Sequence, residues 1–275
     1  MKQIIFLDID GTLTEAGSNV PPESALRAIH KAQKRGHYVF LCTGRNYEML
    51  RSLLAYGFDG MIASAGGYVE CRGELIYDCP MTEKQKKTAL EVLERNGVFC
   101  TVECRDGSYV DESFKLFLRE NIDKGRNREL LAWREQVEKS LNILPMSQYR
   151  GQPVYKIVTM SALESQLEEP VRVLEQDFAL CIQNRNQYGF INAEFVNRSF
   201  DKGRAVKRVC EHLGIPVENS IAIGDSMNDK EMLLTAGRGI CMANGSEEIK
   251  KLADEVCPSV REDGIWHAFQ KHHLL

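Results

Sequence analysis

Ile4-Ile5-Phe6-Leu7 runs directly into Asp8-Ile9-Asp10-Gly11-Thr12, and this junction restricts the fold more tightly than any other stretch. Four β-favouring apolar residues bounded by an acidic, Gly-containing turn suit a buried central strand whose carboxyl end opens into a site. Aspartates spaced i, i+2 leave that end on the same side, and Gly11 lets the backbone bend immediately after them. The plainer alternative is a capped strand end with solvated carboxylates.

The pattern then repeats. A helix is expected from Glu23 to Lys34, with Leu26, Ile29, Ala25 and Ala32 as its apolar stripe and Gly36 as its end. Tyr38-Val39-Phe40-Leu41-Cys42 is a second buried strand, and it too ends in a polar tip, Thr43-Gly44-Arg45-Asn46. Tyr47, Leu50, Leu53 and Leu54 suit a short helix, and Met61-Ile62-Ala63 a third strand. Strand and helix in alternation predict a parallel sheet with helices on its faces, whose ligands bind at the carboxyl ends of the strands.

From Tyr68 the pattern changes. Hairpins are expected across Arg72-Gly73 and across Arg105-Asp106-Gly107, and capping boxes at Thr82 to Gln85 and Ser161 to Glu164. Between them lies a long polar helical stretch from Phe114 to Leu141, broken at Gly125, with Phe117, Leu130, Trp133, Val137 and Leu141 as packing contacts. Strands follow at Val154 to Met160, Ala179 to Ile182 and Phe190 to Val196, with an exposed turn at Asn184-Arg185-Asn186. These elements point to a separate α+β domain over residues 83–190, inserted between two halves of a core at 1–82 and 191–275. The first pattern resumes with Asp201-Lys202-Gly203 before a helix carrying Ala205, Val206, Val209, Cys210 and Leu213. Strand Ile221-Ala222-Ile223 then ends in Gly224-Asp225-Ser226-Met227-Asn228-Asp229, and a further strand leads to Asn244-Gly245.

A length of 275 residues accommodates two domains, and with a formal net charge of -4, scattered Lys and Arg and no basic stripe, nothing recommends a nucleic-acid partner. The nine cysteines form no Cys-x-x-Cys pair. The closest two, Cys100 and Cys104, are expected to share one face of a strand rather than to hold a metal. Reduced thiols, no apolar stretch of spanning length and a strand that begins by residue 3 lead to the expectation of a cytoplasmic monomer without a membrane partner.

If the strands lie parallel in one sheet, Asp8, Asp10, Thr43-Gly44, Lys202 and the group Asp225, Asn228 and Asp229 converge. Carboxylates from two strands with only oxygen donors suit a hard cation such as Mg²⁺ better than zinc. A lysine beside that cation, together with a Thr-Gly pair, makes a tetrahedral anion site, for which phosphate is the natural guest.

Asp8-Ile9-Asp10-Gly11-Thr12, Thr43-Gly44-Arg45, Lys202-Gly203 and Gly224-Asp225-Ser226-Met227-Asn228-Asp229 resemble the four motifs of the haloacid dehalogenase-like (HAD) superfamily. The domain inserted between the second and third motifs, and the run from Ile221 to Ala243, resemble the Cof-type phosphatases with a C2 cap. The chain departs from that pattern at Ser64-Ala65-Gly66-Gly67, where these phosphatases often carry Asn-Gly. The resemblance implies a Rossmann-like parallel-sheet core with an α+β C2-type cap that covers the site and selects the substrate. It implies a Mg²⁺-dependent phosphatase for a small phosphorylated metabolite, sugar phosphates first.

In that scheme Asp8 is the nucleophile that becomes an aspartyl-phosphate, and Asp10 is the general acid and then the base. Mg²⁺ is held by the Asp8 and Asp225 carboxylates and the Asp10 carbonyl. Thr43, Lys202, Asn228 and the N–H groups of Ile9 and Gly44 hold phosphate, and Asp229 orients Lys202 or a metal-bound water. Duller roles stay open: a helix cap for Thr43, a solvated charge for Lys202, an N-cap for Asn228. Arg45 is expected to pair with a core carboxylate, and Asp201, Asp254 and Asp263 to cap or face solvent. The alternatives are a phosphomutase or phosphotransferase of the same superfamily, and a non-catalytic phospho-receiver that uses Asp8 as a switch, against which Asp10 argues.

Overall fold

The computed structural model describes residues 2–113, 116, 143–185 and 190–275. The helical stretch expected over 114–141, with Phe117, Leu130, Trp133, Val137 and Leu141, therefore lies outside the described residues apart from Leu116, and so does Asn186. The chain forms two compact units, one of Met1–Arg45, Leu50–Asp78 and Phe200–Leu275, the other of Asn46–Met49 and Cys79–Ser199.

In the first unit, strands β1 (Ile4–Leu7), β2 (Tyr38–Cys42) and β3 (Gly60–Ala63) alternate with helices α1 (Glu23–Lys34) and α2 (Arg51–Leu54), and the hairpin β4 (Tyr68–Cys71) and β5 (Glu74–Asp78) follows. These strands join β12 (Ser220–Gly224), β13 (Arg238–Met242) and β14 (Glu255–Cys257) in a sheet of order β14-β13-β12-β1-β2-β3-β4-β5. All of it is parallel except the β4 and β5 hairpin. β1 is central because both its faces are apolar: Ile4, Ile5, Phe6 and Leu7 are each fully buried. Ile4 and Phe6 share a core with Phe40 and Ile62 and with Ala205, Val206 and Val209 of the helix at Lys202–Leu213. Burying a side chain of this size contributes about 1.5–3 kcal/mol, so the centre of the sheet is where most of the apolar gain is made. On the other face, α1 packs against β2 and against the C-terminal helix Gly264–Lys271.

The second unit holds a six-stranded sheet, β10 (Phe178–Arg185), β11 (Ile191–Asn197), β9 (Val154–Ser161), β6 (Phe99–Cys104), β7 (Gly107–Val110) and β8 (Ile143–Pro145), in that order. Its pairs are antiparallel apart from β7 with β8. Helices α3 (Glu83–Arg95) and α4 (Ser165–Leu174) pack together, and Val102, Cys104, Ile157 and Phe195 of the sheet share their core. The Thr82 and Gln85 capping box is present as expected. The one expected at Ser161 to Glu164 is not, because Ser161 completes β9 and Gln166 Oε1 instead accepts the N–H groups of Ala162 and Leu163 at 2.9 and 3.0 Å. Asn184 and Arg185 extend β10 opposite Asn192 and Ile191, so the turn expected there is strand.

Two segments fall differently from the expected division at 82/83 and 190/191. β11 is hydrogen-bonded on both sides, between β10 and β9, which carries the second unit to Ser199. Asn46 to Met49 belongs to it as well: Asn46 Nδ2 donates to Ser108 Oγ at 2.9 Å and the Glu48 N–H to the Arg105 carbonyl at 2.9 Å. Among the described residues no helix is long and apolar enough to cross a membrane, and no disulfide joins any of the nine cysteines.

Candidate active site

Register brings the polar tips together. Leu7 lies opposite Leu41 of β2 and Ile223 of β12, so Asp8 begins its loop level with the ends of both neighbouring strands. The Asp8 N–H still donates to the Ile223 carbonyl, at 3.0 Å, which fixes the carboxylate at the sheet edge. Gly11 is required here: its φ is +80°, and a Cβ on it would sit 2.3 Å from Asp225 Oδ2. The Asp201 side chain caps the next helix, α5 (Lys202–Leu213), by accepting the Arg204 N–H at 2.7 Å.

That cap places Lys202 in the first turn of α5, yet its side chain points inward rather than to water. Lys202 Nζ donates to Asp8 Oδ1 at 2.7 Å and to Asp229 Oδ1 at 2.6 Å, with all three groups buried. Asp229 Oδ2 accepts the N–H groups of Asp225 and Ser226 at 3.0 and 3.2 Å, which shapes the loop after β12. Gly224 gives that carboxylate room, since a Cβ there would lie 2.6 Å from it. Thr12 Oγ1 donates to Asp225 Oδ1 at 3.4 Å.

Three carboxylates thus face one ammonium. Burial, and next the Asp229 charge, push the Asp8 carboxyl up to about 8 despite Lys202. Burial and Asp229 likewise push Asp225 up to about 6. For Lys202, burial acts downward, but the Asp229 and Asp8 carboxylates outweigh it and hold the ammonium above the ordinary lysine range. One oxygen from each of Asp8, Asp225 and Asp229 lies within 4.8 Å of the others. An all-carboxylate donor set with surplus negative charge fits a hard divalent cation, which would stabilise the charge that burial opposes.

The other expected residues sit around this cluster in different ways. Asp10 is turned to Arg45; burial acts upward on its carboxyl, but the Arg45 hydrogen bonds, the Gly17 N–H and the Arg45 and Lys202 charges together outweigh it and hold the carboxyl below the usual range. Ile9 is a core side chain whose carbonyl accepts the N–H groups of Thr12 and Thr14 at 3.2 and 2.9 Å. Thr43 is buried at the tip of β2, with its Oγ1 accepting the Arg45 N–H at 3.2 Å, and Gly44 stands between them in the same loop. Asn228 is exposed, and its Oδ1 accepts the Ser226 hydroxyl at 2.8 Å. Asp254 accepts the Gly239 N–H and Asp263 the Ser24 hydroxyl, as local structural groups. Two further residues escaped the sequence reading. Thr12 is one; Asn244 is the other, its Nδ2 donating to the Gly11 carbonyl at 2.7 Å. The signal for Asn244 was its place just beyond a strand tip, the feature shared by the other clusters.

A family model described as haloacid dehalogenase-like hydrolase matches residues 5–269. The chain belongs to this family. Among its relatives, the phosphatase YwpJ of Bacillus subtilis is 28% identical over 99% of this chain and 100% of that protein. A phosphoglycolate phosphatase of Methanobrevibacter smithii is 26% identical, covering 98% of each. A solved sugar phosphatase of HAD subclass IIB aligns with a TM-score of 0.77 over 99% of this chain and 100% of its own, at 22% identity, a likeness of fold. This HAD-family chain is therefore a hydrolase-type enzyme whose parallel-sheet core carries its acidic cluster at the strand tips.

Proposed function

We propose that the protein is a Mg²⁺-dependent phosphatase that hydrolyses a small phosphorylated metabolite through an aspartyl-phosphate. The observation that carries this reading is the buried cluster of Asp8, Lys202, Asp229 and Asp225 at the ends of β1 and β12. Asp8 attacks phosphorus, the bond to the leaving oxygen breaks, and Asp10 gives that oxygen a proton. Asp10 then takes a proton from the water that attacks the aspartyl-phosphate, and Asp8 is released with phosphate. Lys202 and Thr43, with the N–H groups of Ile9 and Gly44 and the Asn228 amide, hold the phosphoryl oxygens as charge shifts onto them. Asp8 and Asp225, with the Asp10 carbonyl or Asp229, would hold Mg²⁺, whose chemistry is to neutralise phosphoryl charge.

Sugar phosphates and phosphoglycolate, the substrates named for two of the relatives, head the substrate panel. The second unit, Asn46–Met49 and Cys79–Ser199, acts as the cap that selects among them, on the first unit as core. Thiols outside disulfides suit a reducing, cytoplasmic compartment. The test is phosphate release from p-nitrophenyl phosphate with and without Mg²⁺, followed by the panel ranked by kcat/KM. Mg²⁺-dependent release that disappears in Asp8→Asn supports the reading. Transfer of phosphate to a second sugar hydroxyl with little free phosphate would replace it with a mutase, and a stable phospho-protein without turnover would replace it with a receiver.

A further inference from the structure

Asn244 stands in the turn that follows β13, and its amide spans two other loops at the carboxyl ends of the strands. Nδ2 donates to the Gly11 carbonyl at 2.7 Å, and Oδ1 accepts the Val260 N–H at 3.4 Å. The orientation of the amide is forced, because a carbonyl only accepts and an N–H only donates. The backbone of the same turn holds a third loop: the Ser246 N–H donates to the Asp225 carbonyl at 3.2 Å, and a Cβ on Gly245 would lie 2.6 Å from that carbonyl oxygen. One turn therefore grips Gly11 through a side chain and Asp225 through the main chain. Between the two grips Gly11 is pressed against the Asp225 carboxylate, with no room for a Cβ. The direct bond between those loops, from Thr12 Oγ1 to Asp225 Oδ1, is longer, at 3.4 Å. A neutral amide ties the loops without bringing a charge that would compete with a cation. Asn244 is exposed, so its bond to Gly11 exchanges with water at little cost to the fold, and its contribution is to geometry.

We infer that Asn244 is a positioning residue for the divalent cation: it fixes the loop of Asp8 and Asp10 against the loop of Asp225, and so sets how tightly their oxygens hold Mg²⁺. The inference rests on the phosphatase reading, which assigns the cation to those residues. Asn244 touches neither the cation nor the phosphoryl group in this scheme; it acts through Gly11.

The experiment follows the melting temperature of the parent, Asn244→Ala, Asn244→Asp and Ser24→Ala at pH 8 as Mg²⁺ is added to chelated protein. The readout is the Kd for Mg²⁺, taken from the rise of melting temperature with Mg²⁺ concentration. Ser24 donates to Asp263 in the segment that also carries Val260, so Ser24→Ala loosens that segment without touching Gly11. Asn244→Ala raises the Kd about tenfold, the scale on which losing a group that orients metal ligands acts. Asn244→Asp keeps the acceptor for the Val260 N–H but turns a second acceptor toward the Gly11 carbonyl. Its charge alone would tighten a cation, so a Kd raised here as well reports geometry, and this variant carries the test if Asn244→Ala does not fold. A merely structural role lowers the melting temperature of the metal-free protein and leaves the Kd unmoved. A Kd unchanged or lowered in either Asn244 variant, or raised equally in Ser24→Ala, would overturn the inference while leaving the phosphatase reading intact. A parent whose melting temperature ignores Mg²⁺ removes the cation from that reading, and the inference with it.

Discussion

Lys202 in the first unit and Lys156 in the second are both buried, and each lies between two carboxylates. Lys202 Nζ is 2.7 and 2.6 Å from Asp8 and Asp229; Lys156 Nζ is 3.2 and 3.1 Å from Glu103 and Glu194. The partners of Lys156 come from the strands on either side of β9, with Glu103 directly across in register. That triad is a cross-strand clasp inside one sheet. Lys202 instead joins groups from two separate loops at strand tips, after β1 and after β12, and a third carboxylate, Asp225, adds further negative charge beside them. Burial raises the Glu103 carboxyl, with Lys156 opposing and Glu194 adding to it, and burial raises Asp8 up to about 8, with both Asp229 and Asp225 adding to it and Lys202 opposing. A buried ion pair is by itself weak evidence of either stability or function. The surplus charge and the strand-tip position separate a site from a clasp.

The comparison breaks first, and with the largest effect, at the lysines. Lys202→Met should lower kcat on p-nitrophenyl phosphate by about 10²–10³, the scale of losing one donor to developing negative charge. Lys156→Met should cost about 3–5 kcal/mol in urea unfolding, because it strands two buried carboxylates, while leaving kcat within about threefold. Equal losses of turnover in the two variants would erase the distinction.

Gly11 has no counterpart in the second triad. Gly11→Ala drives a Cβ against Asp225 and forces a side chain to φ +80°, so a loss of about 1–3 kcal/mol in thermal unfolding and a marked fall in turnover are expected together.

Metal and pH sharpen the contrast. A carboxyl whose folded pKa exceeds its unfolded value keeps a proton that the unfolded chain has released, so stability falls as pH rises between the two. For Asp8 that window runs from 3.8 to about 8, and for Asp225 from 3.8 to about 6. Chelated protein should therefore lose melting temperature across this range, and added Mg²⁺ should restore more of it at pH 8 than at pH 5. Asp225→Asn should shrink the Mg²⁺ response. A response that is flat with pH, or unchanged in Asp225→Asn, would place the cation elsewhere.

The smallest effects lie at two helix caps. Asp201→Ala and Thr82→Ala each remove a side-chain acceptor from a helix start and should cost about 1 kcal/mol apiece. Only the first should also lower turnover, because only α5 begins with the lysine of the site.

The amino-acid sequence alone determined the strand tips. The apolar runs at Ile4, Tyr38 and Ile221 are each followed by a polar loop, a local pattern that burial of a central sheet enforces whatever packs around it. Hairpins at Arg72-Gly73 and Arg105-Asp106, and the cap at Thr82, were legible for the same reason: their hydrogen bonds close within a few residues. Tertiary structure decided what those loops do to one another. Ser161 looked like a cap and became strand, because pairing with Ile191 outweighs a local turn. Asp10 found Arg45 across 35 residues, and Lys202 found Asp8 across 194. Such partners are chosen by the register of neighbouring strands and the angle of a helix on the sheet, so they exist only once the sheet does. Asp229 is the clearest case. By its position alone it is one of three acidic and amide groups after β12, the family resemblance left it to orient either Lys202 or a metal-bound water, and the folded loop turns it inward to share Lys202 with Asp8.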